Sequence, residues 1–355
     1  MKIFEKRQGN LGRIGAAALA SLLLLGMTLR VAAWERIRAQ LFAILPAGST
    51  GPEGLTVGPD GNVYVTTFGF NSQGAVSSLG QLFVYNPEGQ LLRQVSIAGS
   101  SSHLLGLRFN PTTGDLIVLD FGNGKALKVN PVTGASSVFM TVTGNSGLNA
   151  LTFDRAGNVY VSDSFQGIVW TTGSTGGPGM VWINDPLLRT DGIPPFGANG
   201  VDFTKAGDTM LVANTGNDTI VQIPVKSDGS AGKAAVLANS VISADGIALD
   251  HHGNIWVASN QGDEMIVLDP SGKVIAKLGD FRGVSNDGVP QGLLFPASPA
   301  FGLDGKYLYV TNLSLDLRVF GITEAVDSQW CAKVKHYTVS KIRARIPLVG
   351  GDDNE

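Results

Sequence analysis

Beyond about residue 50 the chain alternates short apolar runs with glycine-containing turns. Short apolar runs bounded by turn signals read as strands. One unit repeats six times: an apolar strand, a tight turn, and a second apolar strand closing on a small polar residue. It reads PEGLTVGPDGNVYVTT at 52–67, LLGLRFNPTTGDLIVLD at 104–120 and LNALTFDRAGNVYVSD at 148–163. It returns as ANGVDFTKAGDTMLVAN at 198–214, ADGIALDHHGNIWVASN at 244–260 and SPAFGLDGKYLYVTN at 298–312. Aligning the second strands sets Val65, Val118, Val161, Val212, Val257 and Val310 in register, at intervals of 53, 43, 51, 45 and 53 residues. That spacing suits one four-stranded blade per repeat, so the pattern predicts an all-β fold, a six-bladed β-propeller. Outer-strand hairpins are legible around Asn86-Pro87-Glu88-Gly89 and Pro270-Ser271-Gly272. No amphipathic helical period separates the strands, which disfavours a doubly wound α/β fold. In the tail, Ile342, Ala344 and Ile346 alternate with Lys341, Arg343 and Arg345, a half-exposed strand expected to complete the sixth blade where the tail meets early strands.

The first fifty residues have another pattern. Lys2, Lys6, Arg7 and Arg13 precede an uncharged apolar run from Ile14 to Leu29, which Arg30 closes and Val31-Ala32-Ala33 follows. A basic start, an apolar run and small residues describe a secretory signal or an uncleaved N-terminal anchor helix over 1–33. The run is shorter than the ~20 residues that comfortably span a bilayer. Trp34, Ile37, Leu41 and Ile44 have helical spacing, so 34–49 is expected as a linker or amphipathic segment. The propeller is expected as one domain over 50–347, with an acidic tail at 348–355. The body of the protein is then exported, to the periplasm or the exterior, and touches a membrane only through the N-terminal segment if that is retained.

Composition agrees with a turn-rich β protein: 47 of 355 residues are glycine, and 43% are hydrophobic, enough for a large core. A net charge of −3 gives no reason to expect nucleic acid. The single cysteine, Cys331, excludes an internal disulfide and a cysteine-cluster zinc site.

Candidate chemistry sits at one slot of the repeat. Immediately before the Gly or Ala that opens each first strand stand Glu53, Leu105, Asn149, Asn199, Asp245 and Pro299. Equivalent positions of successive blades ring the axis, so these side chains should converge on the central channel. Two carboxylates and two amide oxygens make a hard-cation site, most simply for Ca²⁺, which takes about six to eight oxygen ligands. No histidine or cysteine occupies the slot, which disfavours zinc. Each Asn-Gly, Asp-Gly or Glu-Gly pair alone would read as an ordinary turn; four oxygen donors in six equivalent slots would not. The residues closing the second strands, Asp120, Asp163, Asn214, Asn260 and Asn312, are expected to cap the next turn. His251-His252 falls in a hairpin turn, and no Gly-x-Ser-x-Gly elbow supports a serine hydrolase.

With the Glu, Asn, Asn, Asp order across blades one, three, four and five, these repeats resemble the senescence-marker-protein/gluconolactonase/luciferin-regenerating-enzyme family, over about residues 50–320. Paraoxonases and strictosidine-synthase-like proteins resemble the chain more distantly. The resemblance implies a divalent cation, usually calcium, held by Glu53, Asn149, Asn199 and Asp245. It also implies hydrolysis of a small-molecule lactone or related ester, with Asp245 at the position proposed as base in some members. Leu105 and Pro299 depart from the sugar-lactonase pattern and point to an apolar substrate. His103, two residues before its slot, lies near where paraoxonases carry a mechanistic histidine, and is either a general acid/base or a loop histidine. The inserts 66–80 and 184–197 could cap the pocket. Two other readings stay open: a non-catalytic propeller binding module, and a metal-independent enzyme of the strictosidine-synthase-like type.

Overall fold

The computed structural model describes residues 36–346, so the expected signal or anchor over 1–33 and the acidic tail lie outside the described residues. Six sheets of at least four antiparallel strands carry the six repeats. Blade one is built from Pro52–Val57, Val63–Thr67, Gln81–Tyr85 and Leu91–Ser96, from axis to rim. Blade five repeats the order with Ala244–Leu249, Ile255–Ser259, Glu264–Leu268 and Val274–Leu278. The six aligned valines all fall in second strands and all are fully buried. Their hairpin glycines take the left-handed backbone that the tight turn demands; Gly61 has φ 79° and Gly157 φ 81°. Buried apolar clusters fill the spaces between neighbouring blades, such as Leu82, Val84, Leu104 and Val118 between blades one and two.

Blade six is closed by both ends of the propeller. Its inner strands, Pro296–Phe301 and Tyr307–Asn312, are followed by Thr338–Arg343, where Ile342 is fully buried and Arg343 exposed, as the alternation predicts. The outermost strand is Gln40–Ile44, paired antiparallel with Thr338–Arg343. At Gln40–Ile44 this corrects the reading of 34–49 as a linker or amphipathic segment. A β-bulge between Leu41 and Ala43 breaks the two-residue alternation, burying Phe42 and Ala43 in succession while Leu41 and Ile44 stay exposed. A bulged strand thus mimics helical spacing, and only the vacant edge of the last blade decides between them. Among the described residues no helix is long and apolar enough to cross a membrane.

Candidate metal centre

Every inner strand carries the same irregularity. Pairing with the second strand breaks between its first and fourth residues in all six blades, and in blades one to five the slot residue sits inside that break. Released from the ladder, it turns towards the axis. The residue after it is glycine in blades one, two, four and five because the next blade passes very close. A Cβ on Gly54 would overlap the carbonyl oxygen of Leu105, and one on Gly200 that of Asp245. Hydroxyls on the second strands hold slot-residue carbonyls of the next blade: Thr66 Oγ1 donates to Leu105 O at 2.6 Å, and Ser162 Oγ to Asn199 O at 2.5 Å. Thr311 Oγ1 donates to Glu53 O at 2.8 Å, which joins blade six to blade one.

Glu53, Leu105, Asn149, Asn199 and Asp245 line one pocket at this end of the channel, and the four polar ones are each 5% exposed or less. Pro299 does not join them. It pairs with Val310 as Leu55 pairs with Val65, so the structural counterpart of Glu53 in blade six is Ala297. The Pro299-Ala300 dipeptide imitates the slot two residues late, and Pro299 lines the opposite mouth of the channel instead. There Arg108 makes two hydrogen bonds to Asp202, at 3.1 and 2.9 Å, and a third to Thr152 at 3.0 Å, fastening blades two, three and four together. His103 is not among the pocket-lining residues either. Its ring stacks on Phe70, and its Nδ1 lies 2.6 Å from the carbonyl oxygen of Phe68.

A second tier orients the slot residues. Asn149 Nδ2 donates to Ser164 Oγ at 3.1 Å, and Asn199 Nδ2 to Thr215 Oγ1 at 3.0 Å. These hydroxyls donate onward to the carbonyls of Ala198 and Ala244 in the next blade, both at 2.7 Å. Because each amide spends its NH₂ group on a hydroxyl, its oxygen is left for the channel. In blade five Asn260 Nδ2 donates to Asp245 Oδ2 at 2.7 Å and to Pro296 O at 2.5 Å. Asn260 therefore belongs to the site rather than capping the next turn. The true strand end is Ser259, whereas Asp120, Asp163, Asn214 and Asn312 do bond the following loops or neighbouring backbone. Ser164, Thr215 and Asn260 all stand one residue beyond their second strands, a register that the repeat alignment could have exposed.

Three oxygens in the pocket have no hydrogen-bond partner: Glu53 Oε2, Asn199 Oδ1 and Asp245 Oδ1. Leaving buried carboxylate oxygens unpaired is costly unless a cation or a proton meets them. Burial, followed by the field of Asp245, holds the Glu53 carboxyl well above its ordinary range. Burial likewise lifts Asp245 to about 7, against the hydrogen bond from Asn260. The donors are all oxygen, and among the described residues no group of three or more His, Cys, Asp or Glu could hold a metal. Two carboxylates and two amides suit a hard divalent cation rather than a transition metal.

Over these oxygens lies an apolar roof of Phe68, Pro194, Phe196, Phe295, Leu313 and Leu315. Phe68 and Phe196 come from the two long inserts. The rings continue outward, with Phe121 5.4 Å from Phe68 and Phe165 stacked on Phe196 at 5.9 Å. About 30 Å³ remains beneath the roof for water-sized occupants, room for an ion or a water but not for an organic substrate.

A family model described as SMP-30/Gluconolactonase/LRE-like region matches residues 111–314, spanning Asn149, Asn199 and Asp245. A strictosidine synthase-like, N-terminal model matches residues 39–68, around Glu53. A putative gluconolactonase is similar in structure with TM-score 0.60 and 18% identity, over 86% of this chain and 92% of that one. A luciferin-regenerating enzyme gives 0.59 and 16%, over 83% and 92%. Regucalcin from Agrobacterium tumefaciens, described as a calcium-binding protein, gives 0.57 and 16%, over 88% and 99%. At such identities the structures establish a shared fold. A search of curated proteins by sequence gives no match.

Proposed function

Because the chain belongs to the SMP-30/gluconolactonase/LRE-like family, we propose that it is a lactone hydrolase whose reaction takes place at a divalent cation held by Glu53, Asn149, Asn199 and Asp245. The observation that carries this reading is the convergence of three unpartnered buried oxygens, from Glu53, Asn199 and Asp245, on one pocket. When bound, a hard cation supplies Lewis-acid polarisation of the ring carbonyl. The chain's own residues do the rest. Asn260 fixes Asp245 through Oδ2, which leaves Oδ1 facing the pocket to accept the proton of an attacking water. Water then adds to the carbonyl carbon, the ring C–O bond breaks, and the proton returns to the departing oxygen. Asn149 and Asn199, held by Ser164 and Thr215, keep their oxygens in place throughout.

The roof sets the substrate class. Phe68, Phe196, Phe295 and Leu105 offer no hydrogen bonds to a polyhydroxylated ring, so the preferred substrates are alkyl or aryl lactones, with related esters next. Since the closed pocket cannot hold such a molecule, part of the roof must move on binding. Phe196, in the connection between blades three and four, packs on the half-exposed Phe165 and is the side chain best placed to do so. Phe196→Ala is expected to raise KM for an aryl lactone about tenfold, the cost of losing one ring contact of about 1–1.5 kcal/mol, with kcat changed less than threefold. Equal losses in kcat and kcat/KM would instead place Phe196 in the chemical step.

The test of the reaction is a panel of sugar, alkyl and aryl lactones with aryl esters, assayed with calcium and with chelator. Turnover of apolar lactones that chelator removes and calcium restores is expected. Chelator-resistant turnover would favour the metal-independent reading, to which the match at 39–68 lends some weight. No turnover across the panel despite bound metal would favour a binding module.

A further inference from the structure

At the opposite mouth of the channel lies a larger cavity of about 600 Å³, within the usual range for a small-molecule site. Inner strands of all six blades line it. Three residues beyond the slot stand Thr56, Arg108, Thr152, Asp202, Ala248 and, counted from Ala297, Ala300, and all six line the cavity. This second ring is polar in blades one to four and apolar in blades five and six. Leu249, Phe301 and Leu303 extend its apolar half.

The hydrogen bonds of the polar half leave donors, not acceptors, for an occupant. Asp202 Oδ1 accepts from Arg108 Nη1 at 3.1 Å, Thr152 Oγ1 at 2.8 Å and the Phe203 amide at 3.0 Å. Its Oδ2 accepts from Arg108 Nη2 at 2.9 Å. Together these come to about all the hydrogen bonds that a carboxylate takes. Arg108 Nη1 also donates to Thr152 Oγ1 at 3.0 Å, but the Nε hydrogen and one on Nη2 have no partner among the described residues. The Arg108 side chain is 33% exposed, against 16% for Asp202, so the guanidinium is the more open half of the pair. Two more cations stand on that side of the rim. Arg155 and Lys205 line an adjoining hollow that shares Phe153 and Asp202 with the cavity. Among the described residues neither belongs to an ion pair. Asp154, the other acid of that hollow, is taken up by the amides of Ala156 and Asn158 and by Asn158 Nδ2.

We propose that this cavity is a second ligand site, for a carboxylate carried on an apolar body, with Arg108 as its anchor. A saturated acid beside an arginine with free donors selects a ligand that accepts hydrogen bonds, and the unpaired cations at the rim favour an anion. The apolar half-ring of Ala248, Ala300, Phe301 and Leu303 then covers the body of the ligand. The site needs no metal and no reaction in the slot pocket. The two cavities are back to back, since Gly106, Ala150, Gly200 and Gly246 of this wall directly follow slot residues that line the other.

Calorimetric titration of full-length protein in chelator tests the proposal, with naphthylacetate as the probe and naphthylacetamide and acetate as comparisons. Naphthylacetate is expected to saturate a single site. The amide, which keeps the shape and loses the charge, should bind at least about tenfold more weakly, as should acetate, which lacks the apolar body. Arg108→Gln/Asp202→Asn removes both charges together, so that neither is left buried alone, and should weaken naphthylacetate binding at least about tenfold. Ala300→Phe fills the cavity from an uncharged position and should abolish binding while the protein still melts cooperatively. Glu53→Gln/Asp245→Asn, in the other pocket, should leave binding unchanged. Absence of saturable binding to wild type overturns the proposal, and so does equal binding of the amide. Full-strength binding in either folded variant of the lower ring, or binding lost only in Glu53→Gln/Asp245→Asn, overturns it as well.

Discussion

Replacing Asp245 by asparagine is expected to lower lactone turnover by about 10²–10⁴-fold, the usual contribution of a positioned general base. The substitution keeps the shape of the side chain, and Asn260 can still bond its remaining oxygen, so folding should survive. What is lost is the proton acceptor in the pocket together with one of the two charges at the proposed cation. The two effects separate experimentally. If metal binding alone were at fault, saturating calcium would restore kcat; a loss that persists at saturation assigns the base. His103→Gln is the comparison. His103 packs behind Phe68 and does not line the pocket, so its loss should change kcat by less than about tenfold, below the range for a positioned general base. A loss at His103 as large as that at Asp245 would reassign the acid/base role.

Calcium is expected to stabilise the protein, and most strongly at neutral to alkaline pH. A ligand bound only by the folded chain contributes about 2.7 kcal/mol at a hundredfold excess over Kd, which is several degrees of melting temperature for a protein of this size. The pH dependence follows from the raised pKa values of Glu53 and Asp245, the latter about 7 against 3.8 in a free carboxyl. Between about pH 4 and 7 the metal-free folded chain binds more protons at Asp245 than the unfolded chain, so this group adds stability as pH falls through that window. That is the reverse of an acid whose pKa is lowered by a salt bridge. Above about pH 7 Asp245 must be buried as an anion beside Glu53, and a cation is then worth most. The calcium-induced shift should therefore be largest near pH 8 and shrink towards pH 5, as protons compete for the same oxygens. Melting curves with and without calcium across that range check it. A shift of equal size at every pH would detach calcium from these acids.

Much of the fold was legible because the repeat is strong. Six valines in register, each hairpin carrying glycine at its turn, leave few architectures other than a propeller, and the tail alternation from Lys341 to Ile346 marked the last blade. The convergence of Glu53, Asn149, Asn199 and Asp245 on one pocket was also legible, since equivalent blade positions must face the axis. The failures are local. Pro299-Ala300 copies the slot dipeptide two residues late, and only the pairing of Pro299 with Val310 exposes the slip. At Gln40–Ile44 a bulge produced helical spacing in a strand whose partner lies some 300 residues away in sequence.

By itself, then, the chain determined the blade count, the turns and the identity of the four oxygen-bearing slot residues, because short apolar strands and positive-φ glycines are local properties repeated six times. Tertiary structure alone decided three other things. It turned the amide oxygens of Asn149 and Asn199 inward, through hydroxyls one residue beyond the second strands that bond a neighbouring blade. It brought Asn260 onto Asp245 and roofed the pocket with phenylalanines from separate blades. Each depends on contacts between residues distant in the chain, where the cost of a buried, unpaired charge or oxygen is settled by what the fold places beside it.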